Sequence, residues 1–306
     1  VGAGRNAGWS LTVPAKLNLY LHVGPPRRDG RHPLDSLVAF VGGQAVDRLT
    51  FTPDPDSPHL TVTTSWAERL VPVPLPDADN HVVRAWAGMR AAFGLAVPGG
   101  RVHLHKGLPV AAGLGGGTAD GAGMLRGLAA GLGVGLDHPA VQAAARALGG
   151  DGPACLLSQT CVMRADGAEV EAVELGCVPA ALLVHAGAAC PTGPVYAAFD
   201  RRGGGLGFAE RSPPVPQPTA SALRAVLSAT ANDLTQAAID VCPPVAETLA
   251  AVQAVASGAL VRMAGSGASV FALCDTLAEA EAAAQRLRAL RSGWWTAVGP
   301  IGAGYG

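Results

Sequence analysis

Four glycines fall within five residues of the segment Pro109-Val-Ala-Ala-Gly-Leu-Gly-Gly-Gly-Thr-Ala-Asp120. Without Cβ atoms a backbone can turn sharply and come close to a ligand. The alternation of Arg101 to Lys106 predicts a strand before this loop, and Thr118 to Leu132 reads as a helix after it. A glycine loop entering a helix turns its N–H groups toward one point, where the helix N-terminus adds partial positive charge. Such a point binds anions, and phosphate is the usual occupant. The candidate contacts are Pro109, Val110, Ala111, Ala112, Gly113, Leu114, Gly115, Gly116, Gly117, Thr118 and Ala119. Thr118 stands where it could cap the helix or help hold a metal-bound phosphate. The competing reading is a flexible turn. A Walker A loop is excluded, because no Gly-Lys-Ser/Thr closes the segment. Gly2-Ala-Gly4 has no strand before it and makes a poor dinucleotide fingerprint.

Three further groups could do chemistry. Pro14-Ala-Lys-Leu-Asn-Leu-Tyr-Leu-His22 predicts a strand on which Lys16, Asn18 and Tyr20 share one face and Leu17, Leu19 and Leu21 the other. A Lys and an Asn between apolar neighbours can be held rigidly in a cleft, or can line the wet side of an edge strand. The 22 basic residues are almost all Arg; Lys16 and Lys106 are the exceptions, and a compact ammonium does what a guanidinium cannot. Asp151 sits in the turn Leu148-Gly-Gly-Asp-Gly-Pro153. It can bond its own turn, as Asp in turns commonly does, or serve as a general base toward a hydroxyl. Gly265, Ser266 and Gly267 form a second glycine turn, which on its own reads as a plain hairpin. His103 and His105 share a strand face without an evident third ligand, so no metal-ligating set is assigned.

The elements that must position these residues alternate along the chain. Strands are expected at Leu11 to Val23, Leu34 to Val41, Ala45 to Phe51, Leu60 to Thr64 and Arg101 to Lys106. A helix after Asp77 to Asn80 carries Val82, Val83, Trp86 and Met89, and a second runs from Val141 to Leu148. The second half offers a strand at Ala181 to His185 and a helix at Pro194 to Asp200. Arg201 to Pro218 reads as a mobile surface loop. Then come a helix at Pro244 to Ala256, strands at Ala259 to Met263 and Ser269 to Cys274, a helix at Leu277 to Leu290 and a strand at Trp294 to Val298. Strands in pairs and helices in groups predict an α+β fold. A division into residues 1–165 and 166–306 is expected.

The composition narrows the function classes. The 306 residues are 49% hydrophobic and 15% charged, with a formal net charge of -1. A sizeable core is affordable, and no broad basic field exists to hold nucleic acid or an anionic membrane. No apolar run approaches the roughly 20 residues of a membrane helix, and Val1 to Ser10 holds no hydrophobic signal core. The six cysteines form no C-x-x-C pair; they read as buried thiols of a reducing compartment, so a cytoplasmic protein is expected.

Taken together, Pro14 to Asn18, Pro109 to Asp120 and Gly265 to Gly267 resemble the three motifs of the GHMP kinases, in order and spacing. The GLGGG form of the second motif, the Asp29-Gly-Arg-His32 turn, Asp151 after its Leu-Gly and Asn232-Asp-Leu234 point more narrowly. They resemble the branch whose acceptor is a cytidine diphosphate-linked methylerythritol, in the non-mevalonate isoprenoid pathway. The resemblance implies a two-domain fold with an N-terminal half like ribosomal protein S5 domain 2 and a ferredoxin-like C-terminal half. It implies ATP as donor, Mg2+, a small-molecule partner and a monomer or homodimer. Lys16 and Asp151 match its catalytic pair, and Asn18, His32, Thr192 and Tyr196 its substrate positions. Three departures stand out: Thr118-Ala119 for Ser-Ser, Ala268 for Pro, and Arg31 where a cytosine-stacking Tyr is expected. An Arg guanidinium is planar and can stack on a base, or it can swing into solvent. Another GHMP kinase, acting on homoserine, mevalonate or a sugar, is the alternative; a non-catalytic nucleotide-binding paralogue is a further one.

Overall fold

A computed structural model describes residues 8–54, 56, 61–66, 79–211 and 213–302. Ten strands and nine α-helices occur among them, in two sheets. The first sheet is built on β1 (Trp9–Val23) and β2 (Leu34–Pro53), paired antiparallel along most of their length. On its other edge β2 pairs β4 (Gly100–Lys106) at one end and β5 (Cys161–Ala165) at the other. β3 (Thr61–Trp66) runs parallel to β4, and β6 (Glu169–Ala172) completes a hairpin with β5. The second sheet is antiparallel, in the order β10-β7-β9-β8. Its strands are β7 (Ala180–His185), β8 (Leu260–Met263), β9 (Val270–Cys274) and β10 (Trp295–Pro300).

β2 is one strand where the sequence reads as two. Gly42 and Gly43 interrupt the pattern because β10 crosses there: a Cβ on Gly299 would lie 1.9 Å from Gly42 O. The register against β1 jumps at the same place, from Pro14↔Val46 to Ala15↔Val41. A second irregularity sits between Asn18 and Tyr20, which pair with the consecutive residues Val38 and Leu37. The extra residue, Leu19, reverses the alternation. Tyr20 therefore leaves the face of Lys16 and Asn18, packs into the core with Leu17 and Leu19, and donates a hydrogen bond to Asp35 Oδ1 at 3.3 Å. Leu21 takes its place on the cleft side.

The helices cover the sheets. α1 (His81–Phe93), α2 (Gly116–Leu132), α3 (Pro139–Ala147) and α4 (Gly152–Leu157) bury the first sheet around Leu49, Met89, Met124 and Leu125. Asn80 caps α1 by accepting from Val82 N, as its side-chain type leads one to expect; Asp77 lies outside the described residues. α5 (Thr192–Arg201), α6 (Ala220–Leu227), α7 (Thr235–Val241), α8 (Pro244–Val255) and α9 (Leu277–Leu290) belong to the second half. α8 and α9 pack on the second sheet through Val252, Val255, Ala284 and Leu287. A shared core of Leu17, Leu19 and Leu37 against Leu183, Phe271 and Ala297 joins the halves. Because β5 and β6 pair, a division at 165/166 falls inside a hairpin; the second sheet begins at Ala180. The segment after Arg201 turns back onto the protein. Gly205 abuts Pro25, Arg211 N donates to Asp35 Oδ2 at 2.8 Å, and Gln217 N donates to Leu175 O at 2.7 Å.

One buried group makes stability depend on pH. His185 on β7 is 4% exposed, and burial pushes its pKa down to about 4. Below pH 6.5 the unfolded chain takes up a proton that the folded site refuses. Stability is therefore whole above pH 6.5 and is lost as pH falls toward 4. The expected loss from this residue is about 2 kcal/mol at pH 5. Urea unfolding of the wild type and of His185→Gln at pH 7 and pH 5 checks it: the variant should lose clearly less between the two.

Candidate active site

The three predicted motifs converge on one cleft of about 520 Å³ between the halves. The first to consider is the glycine loop. Gly115 is the N-cap of α2, in the left-handed region at φ 65°, and no side chain caps the helix. Thr118 is thus not the cap; it lines the cleft instead. The first turn of α2 carries no acidic residue, which leaves its N–H groups and positive end available to an anion. The loop is held from both sides. Lys16 N donates to Leu114 O at 2.9 Å, and Ser269 N to Ala112 O at 3.1 Å.

Gly113 shows why the third motif exists. A Cβ there would stand 2.4 Å from Ala264 O and 2.7 Å from Gly267 O; one on Gly265 would stand 2.8 Å from Gly113 O. The two glycine turns meet backbone to backbone, which only glycine permits at this spacing. Asn232 fixes the arrangement by donating to Met263 O at 2.9 Å and Gly265 O at 2.8 Å. The Gly265 turn is a hairpin, as its sequence suggests, but one seated on the Gly113 loop.

On the other wall Lys16 is 3% exposed and lies 2.8 Å from Asp151 Oδ2. Lys16 Nζ also donates to Asn18 Oδ1 at 2.9 Å, and Asn18 Nδ2 to Ser36 Oγ at 2.8 Å. The wet edge-strand reading of Lys16 and Asn18 is thereby excluded: both are buried. Asp151 precedes α4 but makes no capping bond, so its carboxylate is not spent on the turn. Gly152 lets the turn close, since a Cβ there would meet Ala145 O at 1.9 Å. A buried ammonium and a partly exposed carboxylate, side by side at the mouth of an anion site, can receive a hydroxyl proton while steadying negative charge.

Of the positions expected to meet the acceptor, Arg31, His32, Thr192 and Tyr196 line an adjoining cleft of about 540 Å³ that shares Leu34, Asp151, Thr192 and Tyr196 with the first, and Asn18 lines the first alone. His32 is fixed by Gly24 O, 2.8 Å from Nδ1, and its ring lies 5.0 Å from that of Tyr196. Burial, and then the charge of Asp151, push the Tyr196 phenol above its ordinary range. Thr192 Oγ1 shares a hydrogen bond of 2.9 Å with Ser266 Oγ. Arg31 is 70% exposed, and its Nη1 sits 2.6 Å from Asp166 Oδ2, tying the Asp29-to-His32 turn to the β5–β6 turn. Asp166 is held below the usual carboxylate range by that bond.

Sequence reasoning missed the buried cluster beneath the loop. Lys106 Nζ bonds Asp47 Oδ2 and, at 2.7 Å, Asp120 Oδ2. Asp47 Oδ1 accepts from Gly107 N at 2.7 Å and Leu108 N at 2.8 Å, which fixes where the loop leaves β4. Burial pushes the Asp120 carboxyl up against the pull of Lys106. The rarity of Lys106 was a signal; its partner Asp47 lies 59 residues away and gave none.

Gly115 allows a direct test. A Cβ there would stand 3.1 Å from Lys16 Cβ and Cε, at a positive φ that a branched side chain resists. Gly115→Val should lower nucleotide affinity at least about tenfold by calorimetry while the protein stays folded, since a clash of this kind with one side chain costs on the order of 1–3 kcal/mol. Normal ATP binding by this variant would make the loop a mere turn.

Residues 80–159 match the family described as GHMP kinases N terminal domain, and residues 219–292 the one described as GHMP kinases C terminal. The class is therefore the GHMP kinases, and the chain has their fold. It is 42% identical to the 4-diphosphocytidyl-2-C-methyl-D-erythritol kinase of Hyphomonas neptunium, over 97% of each chain. The Methylobacterium radiotolerans kinase of the same name is 45% identical, over 93% of this chain and 96% of its own. A crystal structure of 4-(cytidine 5'-diphospho)-2C-methyl-D-erythritol kinase superposes with a TM-score of 0.75 at 30% identity, over 97% of this chain and all of that one. Within the GHMP kinases the chain belongs to the 4-diphosphocytidyl-2-C-methyl-D-erythritol kinase family.

Proposed function

We infer that this chain transfers the γ-phosphoryl group of ATP to the 2-hydroxyl of 4-diphosphocytidyl-2-C-methyl-D-erythritol, a step of isoprenoid biosynthesis. The observation that carries it is the Lys16–Asp151 pair at 2.8 Å beside the glycine loop, in a chain 42% identical over 97% of its length to a kinase of that name. Asp151 accepts the hydroxyl proton as the hydroxyl oxygen attacks the γ-phosphorus, and ADP leaves in line. Lys16 steadies the Asp151 carboxylate and the charge on the transferring group. The loop from Pro109 to Ala119 and the N-terminus of α2 hold the nucleotide phosphates. Positioning and electrostatics supply most of the rate.

Two oxygen donors at the phosphate end of the cleft fit Mg2+. They are the Thr118 hydroxyl and Asp120 Oδ1, which is buried without a hydrogen-bond partner. These residues would hold the ion, which when bound neutralises charge on the phosphates. Cytoplasmic placement belongs to the same proposal and is supported by six free cysteines, five of them buried.

Tyr196 and Arg31 are assigned to the cytidine. With Asp166 holding it, the Arg31 guanidinium is kept at the cleft and offers a flat face where a Tyr is usual. Tyr196→Ala should weaken cytidine-substrate binding by about 1–3 kcal/mol, the scale of a base stacked on an aromatic ring. Arg31→Ala should raise the KM for that substrate by less, and Arg31→Tyr should be tolerated. ATP affinity should be unchanged in all three. An unmoved acceptor KM in both alanine variants would place the cytidine elsewhere.

A further inference from the structure

The acceptor cleft has a floor made of two turns. α3 buries Val141, Ala144 and Ala145, which leaves Arg146 of its last turn on the exposed side. That turn is fixed to the turn of Asp151, because a Cβ on Gly152 would stand 1.9 Å from Ala145 O and 3.6 Å from Arg146 N. The Gly149–Gly150 stretch between them packs on the turn that joins β5 and β6. A Cβ on Gly150 would lie 2.9 Å from Asp166 O, and one on Gly167 2.1 Å from Gly150 O. Arg146, Asp151 and Asp166, with Arg31 bonded to Asp166, therefore border one floor, and all four line the cleft of about 540 Å³.

The fixed charges of this cleft do not cancel. It is lined by two guanidinium groups, Arg31 and Arg146, and two carboxylates, Asp151 and Asp166. Arg31 Nη1 holds Asp166 at 2.6 Å. Asp151 is held at 2.8 Å by Lys16, which lines the neighbouring cleft. Arg146 is left over: its side chain forms no hydrogen bond, ion pair or ring contact with a described residue. An unpaired guanidinium in a cleft suits a phosphate, whose oxygens it can meet with two parallel N–H groups. The acceptor carries such a group. With its reacting hydroxyl at Asp151 and its cytosine at Tyr196 and Arg31, the diphosphate that joins these two parts lies between the two ends of the same cleft. Arg31 is already engaged by Asp166, and Arg146 is the other cation there.

We propose that Arg146 is a specificity-determining residue of the acceptor site, whose guanidinium holds the diphosphate of the cytidine substrate. This rests on reading the cleft as the site of that substrate. Calorimetry with cytidine and with cytidine diphosphate tests it, on the full chain with the glycine loop filled by β,γ-imido-ATP. Arg146→Gln should bind the diphosphate about five- to tenfold more weakly than wild type, because charge-assisted bonds to a phosphate are stronger than an ordinary exposed ion pair. Cytidine itself should bind both proteins alike. Arg146→Lys, a charge without the planar fork, should recover part of the loss, and Arg146→Glu should bind the diphosphate more weakly still. In turnover, Arg146→Gln should raise the acceptor KM by the same factor and flatten its rise with added NaCl, with the KM for ATP unmoved. A merely structural role would weaken cytidine and its diphosphate together and leave the salt dependence unchanged. Equal affinity of wild type and Arg146→Gln for the diphosphate, or an equal loss for both ligands, overturns the proposal alone. Failure of the wild type to bind either cytidine ligand overturns the reading of the cleft with it.

Discussion

Asp151→Asn should lower kcat by at least about 100-fold, the low end of a general-base contribution, with little change in ATP binding. The substitution keeps the shape of the side chain and its reach to Lys16, 2.8 Å away. It removes the one property that matters here, a carboxylate that can accept a proton. Asp151 caps nothing and is about one-third exposed; its ion pair is with Lys16, and the Asn side-chain oxygen can still accept from that ammonium. The nucleotide phosphates are assigned to the loop and the N-terminus of α2, not to Asp151. Steady-state kinetics with ADP calorimetry separates the two effects. Near-normal turnover would remove Asp151 from the proton transfer.

Lys16→Met should reduce kcat by a similar factor, about 100-fold or more, the usual cost of deleting a preorganised charge at a reacting centre. Met fills the volume of the buried Lys stem, so core loss is small. What disappears is the ammonium between Asn18 and Asp151. Lys16→Arg is the sharper variant. The Lys16 stem already stands 3.1 Å from where a Cβ on Gly115 would be, and a guanidinium is larger and flatter than an ammonium. Retaining the charge should therefore rescue only part of the rate. Full rescue by Arg would show that charge alone is required and that a compact ammonium is not.

The parts of the site that were legible in the sequence are those whose chemistry is local. The glycine loop declares itself by sitting between an alternating strand and a helix, and Lys16 and Asn18 by polar residues in an apolar strand. Asn80 stands at a helix start that its side-chain type marks plainly, and Asp151 in a turn that Gly and Pro mark. What was hidden depends on register or distance. The irregularity at Leu19 moves Tyr20 to the other face, and nothing in β1 alone announces it. β2 reads as two strands because Gly42 and Gly43 look like a turn, whereas they admit β10. α4, β5 and β6 span only 6, 5 and 4 residues, too few for a period to show. The Asp47–Lys106–Asp120 cluster and the Arg31–Asp166 pair join residues far apart in the chain. Their partners become visible only when the sheet is assembled.

The most direct test of the central claim is acceptor-dependent ADP formation by the purified protein, followed with 31P NMR of the product. With ATP, Mg2+ and 4-diphosphocytidyl-2-C-methyl-D-erythritol, one ADP should form per acceptor consumed, and a new phosphomonoester signal should appear beside an intact diphosphate. Homoserine, mevalonate and simple sugars should give no ADP above the background without acceptor. ADP formation indifferent to the cytidine substrate, or turnover of one of those other alcohols in its place, would contradict the account.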